Sequence, residues 1–210
     1  MGRRLRFTAD DAGYAARVDR SRLEAFSDGV LAIIITIMVL ELKVPEGSDW
    51  AALRPVLPLF LTYAVSFLYV GIYWNNHHHL LKACHRVTAS IMWSNLLLLF
   101  TLSLFPFSTG WVGANHLSAV PIFLYGAVLL SAALAYYLLQ SVIVAGEGGA
   151  SSQLGAALGR DWKGRLSPVI YLAAMGLAFV ATWASVVLYV GAALIWLIPD
   201  RRIEHLVEVE

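Results

Sequence analysis

The sequence predicts an all-α polytopic membrane protein with six transmembrane helices in a single domain over residues 1–210, and three observations predict it. Apolar runs approaching the ~20 residues needed to cross a ~30 Å hydrocarbon core recur along the chain. Only 14% of its 210 residues are charged, against roughly 25% in an ordinary soluble domain, so water is not the solvent for most of its surface. The third observation is the distribution of the basic residues along the chain, which follows from the spans themselves.

The first span covers about Leu23–Leu42 and stops before Pro45-Glu46-Gly47. It ends in Glu41-Leu42-Lys43 with no small-residue cleavage pattern, so it is expected to be retained rather than removed as a signal peptide. The second covers about Leu53–Trp74, the third about Thr88–Phe105 before Pro106, and the fourth about Leu117–Ala145. Residues 146–160 are rich in Gly and Ser and read as a loop. The run Leu166–Ile198 is 33 residues, or ~50 Å as one helix. That is too long for one span, so it divides into short helices over 166–182 and 184–198, turning near Thr182–Ser185, where no Gly or Pro marks a turn.

Charge parity agrees with this division. With the first segment cytoplasmic, the inner segments hold Arg3, Arg4, Arg6, Arg17, Arg20, Arg22, Lys82, Arg86, Arg160, Lys163, Arg165, Arg201 and Arg202. The outer segments hold Lys43 and Arg54. Thirteen against two is a positive-inside bias that places both termini in the cytoplasm and demands an even number of spans. A net charge of +1 gives no basic field for nucleic acid. One cysteine, Cys84, excludes an internal disulfide and a thiolate metal cage.

Chemistry concentrates at the foot of the first span. Asp28 lies one turn into an apolar helix, where an ionisable residue is costly and is a functional candidate, or else a first-turn carboxylate held near the membrane surface by the helix dipole. At 100° per residue, Ile33, Ile37 and Leu40 fall within a ~60° stripe, flanked by Thr36 with Phe26 and Gly29 below. On pattern alone this stripe could equally pack against lipid or other helices. Arg22 shares its face; Asp28 does not and needs a partner from another helix.

The second span ends in Tyr73-Trp74-Asn75-Asn76-His77-His78-His79. Consecutive histidines diverge by ~100° and none follows at the four-residue spacing that clasps zinc, so interfacial hydrogen bonding is expected rather than a metal site. Trp93, Ser94 and Asn95 of the third span sit at the same level, where a buried asparagine needs partners or serves as interhelical glue. No TVGYG filter, phosphate-cradling glycine loop, Arg-rich voltage sensor or nucleophile elbow is present, which argues against an enzyme and against a carbonyl-filter channel.

The string RLEAFSDGVLAIIITIMVLEL resembles the first helix of the transmembrane protein 175 family of endolysosomal potassium channels and their bacterial homologues. Its hallmark is an arginine four residues before Phe-Ser-Asp, here Arg22 and Phe26-Ser27-Asp28. Trp74 followed by His77-His78, Trp93-x-Asn95, and Ile198-Pro-Asp-Arg-Arg-Ile-Glu204 are similar as well. The resemblance implies a homotetramer in the bacterial cell membrane, its four first helices lining one path for K+, with no cofactor and no soluble partner. It further implies a hydrophobic constriction at Ile33, with Ile37 and Leu40 above it and Thr36 at the selectivity position. Arg22, Ser27, Asp28, His77, Trp93 and Asn95 would form the polar network that holds the helix in place. Two other readings remain from the residues: a proton-coupled transporter titrating Asp28 and His77, and a membrane scaffold without transport.

Overall fold

The computed structural model of the chain describes residues 9–158 and 162–197. These form helices α1 (Ala9–Leu40), α2 (Leu57–Lys82), α3 (Ala89–Leu102), α4 (Phe105–Ala114), α5 (Ala119–Gly146), α6 (Gln153–Leu158), α7 (Trp162–Leu177) and α8 (Thr182–Leu197), with no strand among the described residues. Arg160 and the Ile198–Glu204 motif lie outside the described residues, as do Arg3, Arg4, Arg6, Arg201 and Arg202.

The stretches Arg20–Leu40, Leu57–Lys82, Ala89–Ala114 and Ala119–Gly146 are long and apolar enough to cross a membrane. α7 and α8 are 16 residues each, ~24 Å at the helical rise, and pack together as a short hairpin. α5 lies in the middle of the bundle, against α3 and α4 on one side and α7 and α8 on the other. α1 packs on α2, α3 and α4 at the margin.

Several boundaries differ from the sequence expectation, each for a local reason. α1 begins well before Leu23, as an extension below the apolar span, and ends at Leu40, where Leu42 closes a turn onto the Val39 carbonyl at 3.1 Å. Residues 50–53 are a 3-10 turn capped by the Asp49 carboxylate on the Ala52 amide at 3.0 Å, and α2 starts only at Leu57, with Pro58 in its first turn. α2 then continues through Trp74 to Lys82, because Asn76 satisfies its own amide on the Ile72 carbonyl at 2.8 Å and nothing there breaks the helix.

The third span does not stop at Pro106. α3 alone is 14 residues, ~21 Å, too short to cross. Proline lacks an amide hydrogen and its ring collides with the carbonyl four residues back, so α3 ends at Leu102 and Pro106 opens α4 from its first turn. The two segments together complete the span through Ala114. His116 and Leu117 take positive φ values of 50° and 60°, which delays α5 to Ala119.

The hairpin turn falls at Ala178–Ala181 rather than Thr182–Ser185. The Val180 and Ala181 amides both close onto the Leu177 carbonyl, at 3.0 and 2.8 Å, so the chain reverses without Gly or Pro. Ser185 donates its buried hydroxyl to the Ala174 carbonyl at 2.7 Å, tying the start of α8 to the end of α7.

The core is aromatic and hydroxyl-bearing as well as aliphatic. Tyr69 donates to the Tyr189 carbonyl at 2.6 Å, Tyr189 to the Ile122 carbonyl at 3.3 Å, and Thr109 to Ser66 at 2.7 Å, whose oxygen meets the Tyr125 hydroxyl at 3.0 Å. These bonds connect α2, α4, α5 and α8 inside the bundle. α4 approaches α2 so closely that a Cβ on Gly113 would stand 2.7 Å from the Leu59 Cα and 2.4 Å from its Cδ1. Since backbone cannot step aside, Gly113→Ala should destabilise the protein by ~1–3 kcal/mol. Gly71 has open space around its Cβ position. The check is the thermal midpoint in detergent: Gly113→Ala lowers it, whereas Gly71→Ala leaves it level or higher.

Candidate functional site

α1 has two apolar faces, and only one is covered. Leu23, Ser27, Leu31, Ile34 and Met38 recur at spacings of three and four residues and are buried against α2, α3 and α4. On the opposite face Ile33, Ile37 and Leu40 are 59%, 45% and 76% exposed, with Phe26 and Thr36 also exposed. The Thr36 hydroxyl donates to the Ala32 carbonyl at 2.8 Å, so its oxygen lone pairs remain available on that outer face.

Below the stripe, a directed hydrogen-bond chain crosses three helices. Ser27 of α1 donates to its own Leu23 carbonyl at 2.8 Å and accepts from the Asn95 amide of α3 at 3.0 Å. The Asn95 carbonyl oxygen meets His77 Nε2 of α2 at 2.6 Å. An amide oxygen only accepts, so His77 carries its proton on Nε2. Ser27 and Asn95 are 0% exposed and His77 2%. Every bond in this chain is therefore sealed from water, where removing one member strands the next.

Asp28 lies outside that chain. Its carboxylate accepts from the Trp74 indole N–H at 2.9 Å, and the Trp74 ring stacks on His78 at 6.1 Å between centroids. Arg22 and Trp93 are exposed, Trp93 by 73%, and do not join the network within one chain. Arg20 instead reaches the carbonyls of Lys82 and Cys84 at 3.2 and 3.4 Å, which clamps the foot of α1 to the C-terminal end of α2. Of these partners, Trp74 was visible in the sequence one turn before His77-His78; Arg20 gave no pattern, because a cap on a distant carbonyl leaves no periodic trace. Cys84 is buried beside this clamp, and its thiol is pushed up by desolvation and next by Glu147.

The histidines point to separate partners: His77 to Asn95, His78 to Trp74, and His85 to Glu147, whose carboxylate takes both the His85 amide at 2.7 Å and its Nδ1 at 2.6 Å. No cluster of His, Cys, Asp or Glu that could hold a metal ion occurs among the described residues.

Just past the C-terminal end of α1, Glu41 turns onto α4. A Cβ on Gly110 would stand 2.3 Å from its Oε2, which is closed off from solvent and has no hydrogen-bond partner among the described residues. Desolvation pushes the Glu41 carboxyl above its ordinary value of 4.5.

Comparison with known proteins places this geometry. Over 185 residues, 88% of this chain and 96% of the relative, the sequence is 53% identical to a potassium channel of Chryseobacterium sp. (strain P1-3). The chain belongs to the TMEM175 family. The family profile described as endosomal/lysosomal potassium channel TMEM175 matches residues 22–106, which hold the α1 stripe and the whole three-helix hydrogen-bond chain. The crystal structure of a lysosomal potassium-selective channel TMEM175 homolog from Chamaesiphon minutus superposes with a TM-score of 0.72 at 27% identity, covering 87% of this chain and 98% of that one. The human endosomal/lysosomal proton channel TMEM175 is 37% identical over 86 residues, 35% of this chain and 17% of that protein. The family is one of ion channels, not enzymes.

Two expectations follow from the site. Asn95→Ala strands the His77 N–H and a Ser27 lone pair in a sealed interior, at ~1–3 kcal/mol for each group. A fall in thermal midpoint larger than that of Ser94→Ala, whose hydroxyl bonds only its own helix at the Ser90 carbonyl, is the result to look for. For Glu41, a carboxyl raised in the folded state binds more protons folded than unfolded between 4.5 and its raised value. Stability therefore falls as pH climbs through that window, and the penalty is absent below it. Glu41→Gln should flatten the difference in thermal midpoint between acid and neutral pH, most visibly by raising the midpoint at neutral pH.

Proposed function

We propose that the chain is one subunit of a homotetrameric potassium channel of the bacterial cell membrane, with both termini cytoplasmic. Four copies of α1 surround the ion path. One observation carries this reading: the α1 face bearing Ile33, Ile37 and Leu40 is open while the opposite face is sealed against the rest of the chain. A helix on the margin of one bundle encloses nothing alone, so a path requires copies around an axis. The potassium named for the Chryseobacterium and Chamaesiphon relatives supports the permeant ion.

Branched apolar side chains offer an ion no ligands, so a ring of four Ile33 side chains closes the path by dewetting. Ile37 and Leu40 line the path above, and Thr36 presents the polar oxygen nearest the constriction. Potassium sheds water more readily than sodium, so an apolar constriction favours it weakly, and flow is passive. Phe26, Ser27 and Asp28 set the foot of the helix, held by Asn95, His77 and Trp74. Arg22 and Trp93, exposed on one subunit, belong to the contact with its neighbour. No cofactor enters. A proton relay through Asp28 and His77 is less well supported, because each bonds a different partner.

Bilayer recording under a sodium–potassium gradient tests the gate. Ile33→Asn wets the constriction, raising cation conductance and eroding preference for potassium. Ile34 is 3% exposed, on the packed face, so Ile34→Asn buries an unpaired amide and lowers yield without raising current. Thr36→Val lowers selectivity and leaves the dry gate shut. Equal behaviour of the two asparagine variants overturns the assignment of the stripe to the pore.

A further inference from the structure

Two cavities adjoin where α5 and α7 meet, the inner one also walled by α2 and α8. The inner one, about 50 Å³, is walled by aromatic rings including Tyr73, Tyr136, Tyr171 and Trp196. The outer one, about 380 Å³, opens between the end of α5 and the glycine-bearing segment that follows it, with Arg165 on its wall. Tyr137, Gln140 and Gly164 line both, so the two form one continuous groove.

Gln140 stands at the junction. It is 8% exposed, yet its side-chain amide has no hydrogen-bond partner among the described residues. It opens onto the groove at both cavities, so that amide bonds whatever fills the groove. Among the described lining residues the charged one is Arg165, on the outer cavity, and the Lys163 ammonium lies 5.9 Å over the Trp196 ring of the inner one. From end to end the groove thus offers a cation, a hydrogen-bond donor and an aromatic chamber, in that order.

We propose that this groove binds an anionic glycerophospholipid, its phosphate at Arg165, an ester carbonyl on the Gln140 amide, and an acyl chain against the aromatic wall. That order matches the order of groups along such a lipid. The inner chamber admits only the first methylenes of an acyl chain beyond its ester, which its rings suit, and the outer groove has room for a phosphoglycerol. Placement in the cytoplasmic leaflet, where anionic lipid is concentrated, rests on the orientation proposed above. Binding itself does not.

Native mass spectrometry of the purified channel from nanodiscs containing equal phosphatidylglycerol and phosphatidylcholine tests this. The wild type should retain phosphatidylglycerol in preference. Arg165 is exposed, so Arg165→Gln folds normally and should reduce that preference about fivefold, the weight of one surface cation toward an anionic lipid. The wild type should also prefer diester over diether phosphatidylglycerol, since the ether lacks the carbonyl, and Gln140→Leu should abolish that discrimination. Equal retention of the two headgroups, an unchanged preference in Arg165→Gln, or complete displacement of phosphatidylglycerol by added glycerol phosphate overturns the proposal. Crosslinking of a Ser141→Cys variant to a neighbouring subunit also overturns it, by giving the groove a protein occupant. No ion current enters the measurement and both leaflets carry the mixture, so its failure is distinct from failure of the channel reading.

Discussion

The orientation of α1 depends on the hydrogen-bonded chain His77–Asn95–Ser27. In a bilayer, apolar surface gains nothing by turning inward, because lipid is as apolar as a neighbouring helix. α1 is apolar on both faces, with Leu31, Ile34 and Met38 on one and Ile33, Ile37 and Leu40 on the other. Hydrophobicity alone therefore cannot decide which face packs and which stays open. Ser27 decides it: its hydroxyl must meet the Asn95 amide, and that fixes the rotation of the helix about its axis. Asp28 on Trp74 and Arg20 on the end of α2 hold the same setting from the adjacent positions.

The bundle behind α1 is held by the same means. Ser66, Thr109, Tyr125, Tyr69 and Tyr189 join α2, α4, α5 and α8 through hydroxyl hydrogen bonds where hydrocarbon supplies no competing partner. Close backbone approach, as at Gly113 on Leu59, adds packing to these bonds. α4 is the element the two systems share. It bonds α2 through Thr109, touches Met38 of α1 through the same hydroxyl at 3.9 Å, and receives Glu41 on Gly110. The C-terminal end of α1 is thereby seated on the bundle.

Much of this was legible beforehand. The Phe-Ser-Asp string, the stripe, His77 and Asn95 lie on or beside the candidate site, because helical period and the cost of polar groups in lipid leave strong marks in sequence. The partners were less legible. Asp28 was expected to need a partner from another helix, and Trp74 supplies it, although an indole N–H carries no charge to advertise the pairing. Arg22 and Trp93 were grouped with the network by resemblance, yet within one chain they remain at the surface. The break at Leu102–Phe105 was hidden by the double role of proline, which ends one helix and begins another.

The sequence by itself determined the solvent and the face of α1 that carries Ile33, Ile37 and Leu40, since the first depends only on apolar length and the second on a period of 3.6 residues. Tertiary structure decided which of the two apolar faces of α1 is buried, where the α7–α8 hairpin turns, and which histidine meets Asn95. Those outcomes depend on hydrogen bonds between residues as much as 68 positions apart. A single helix carries no record of the neighbour that will satisfy it.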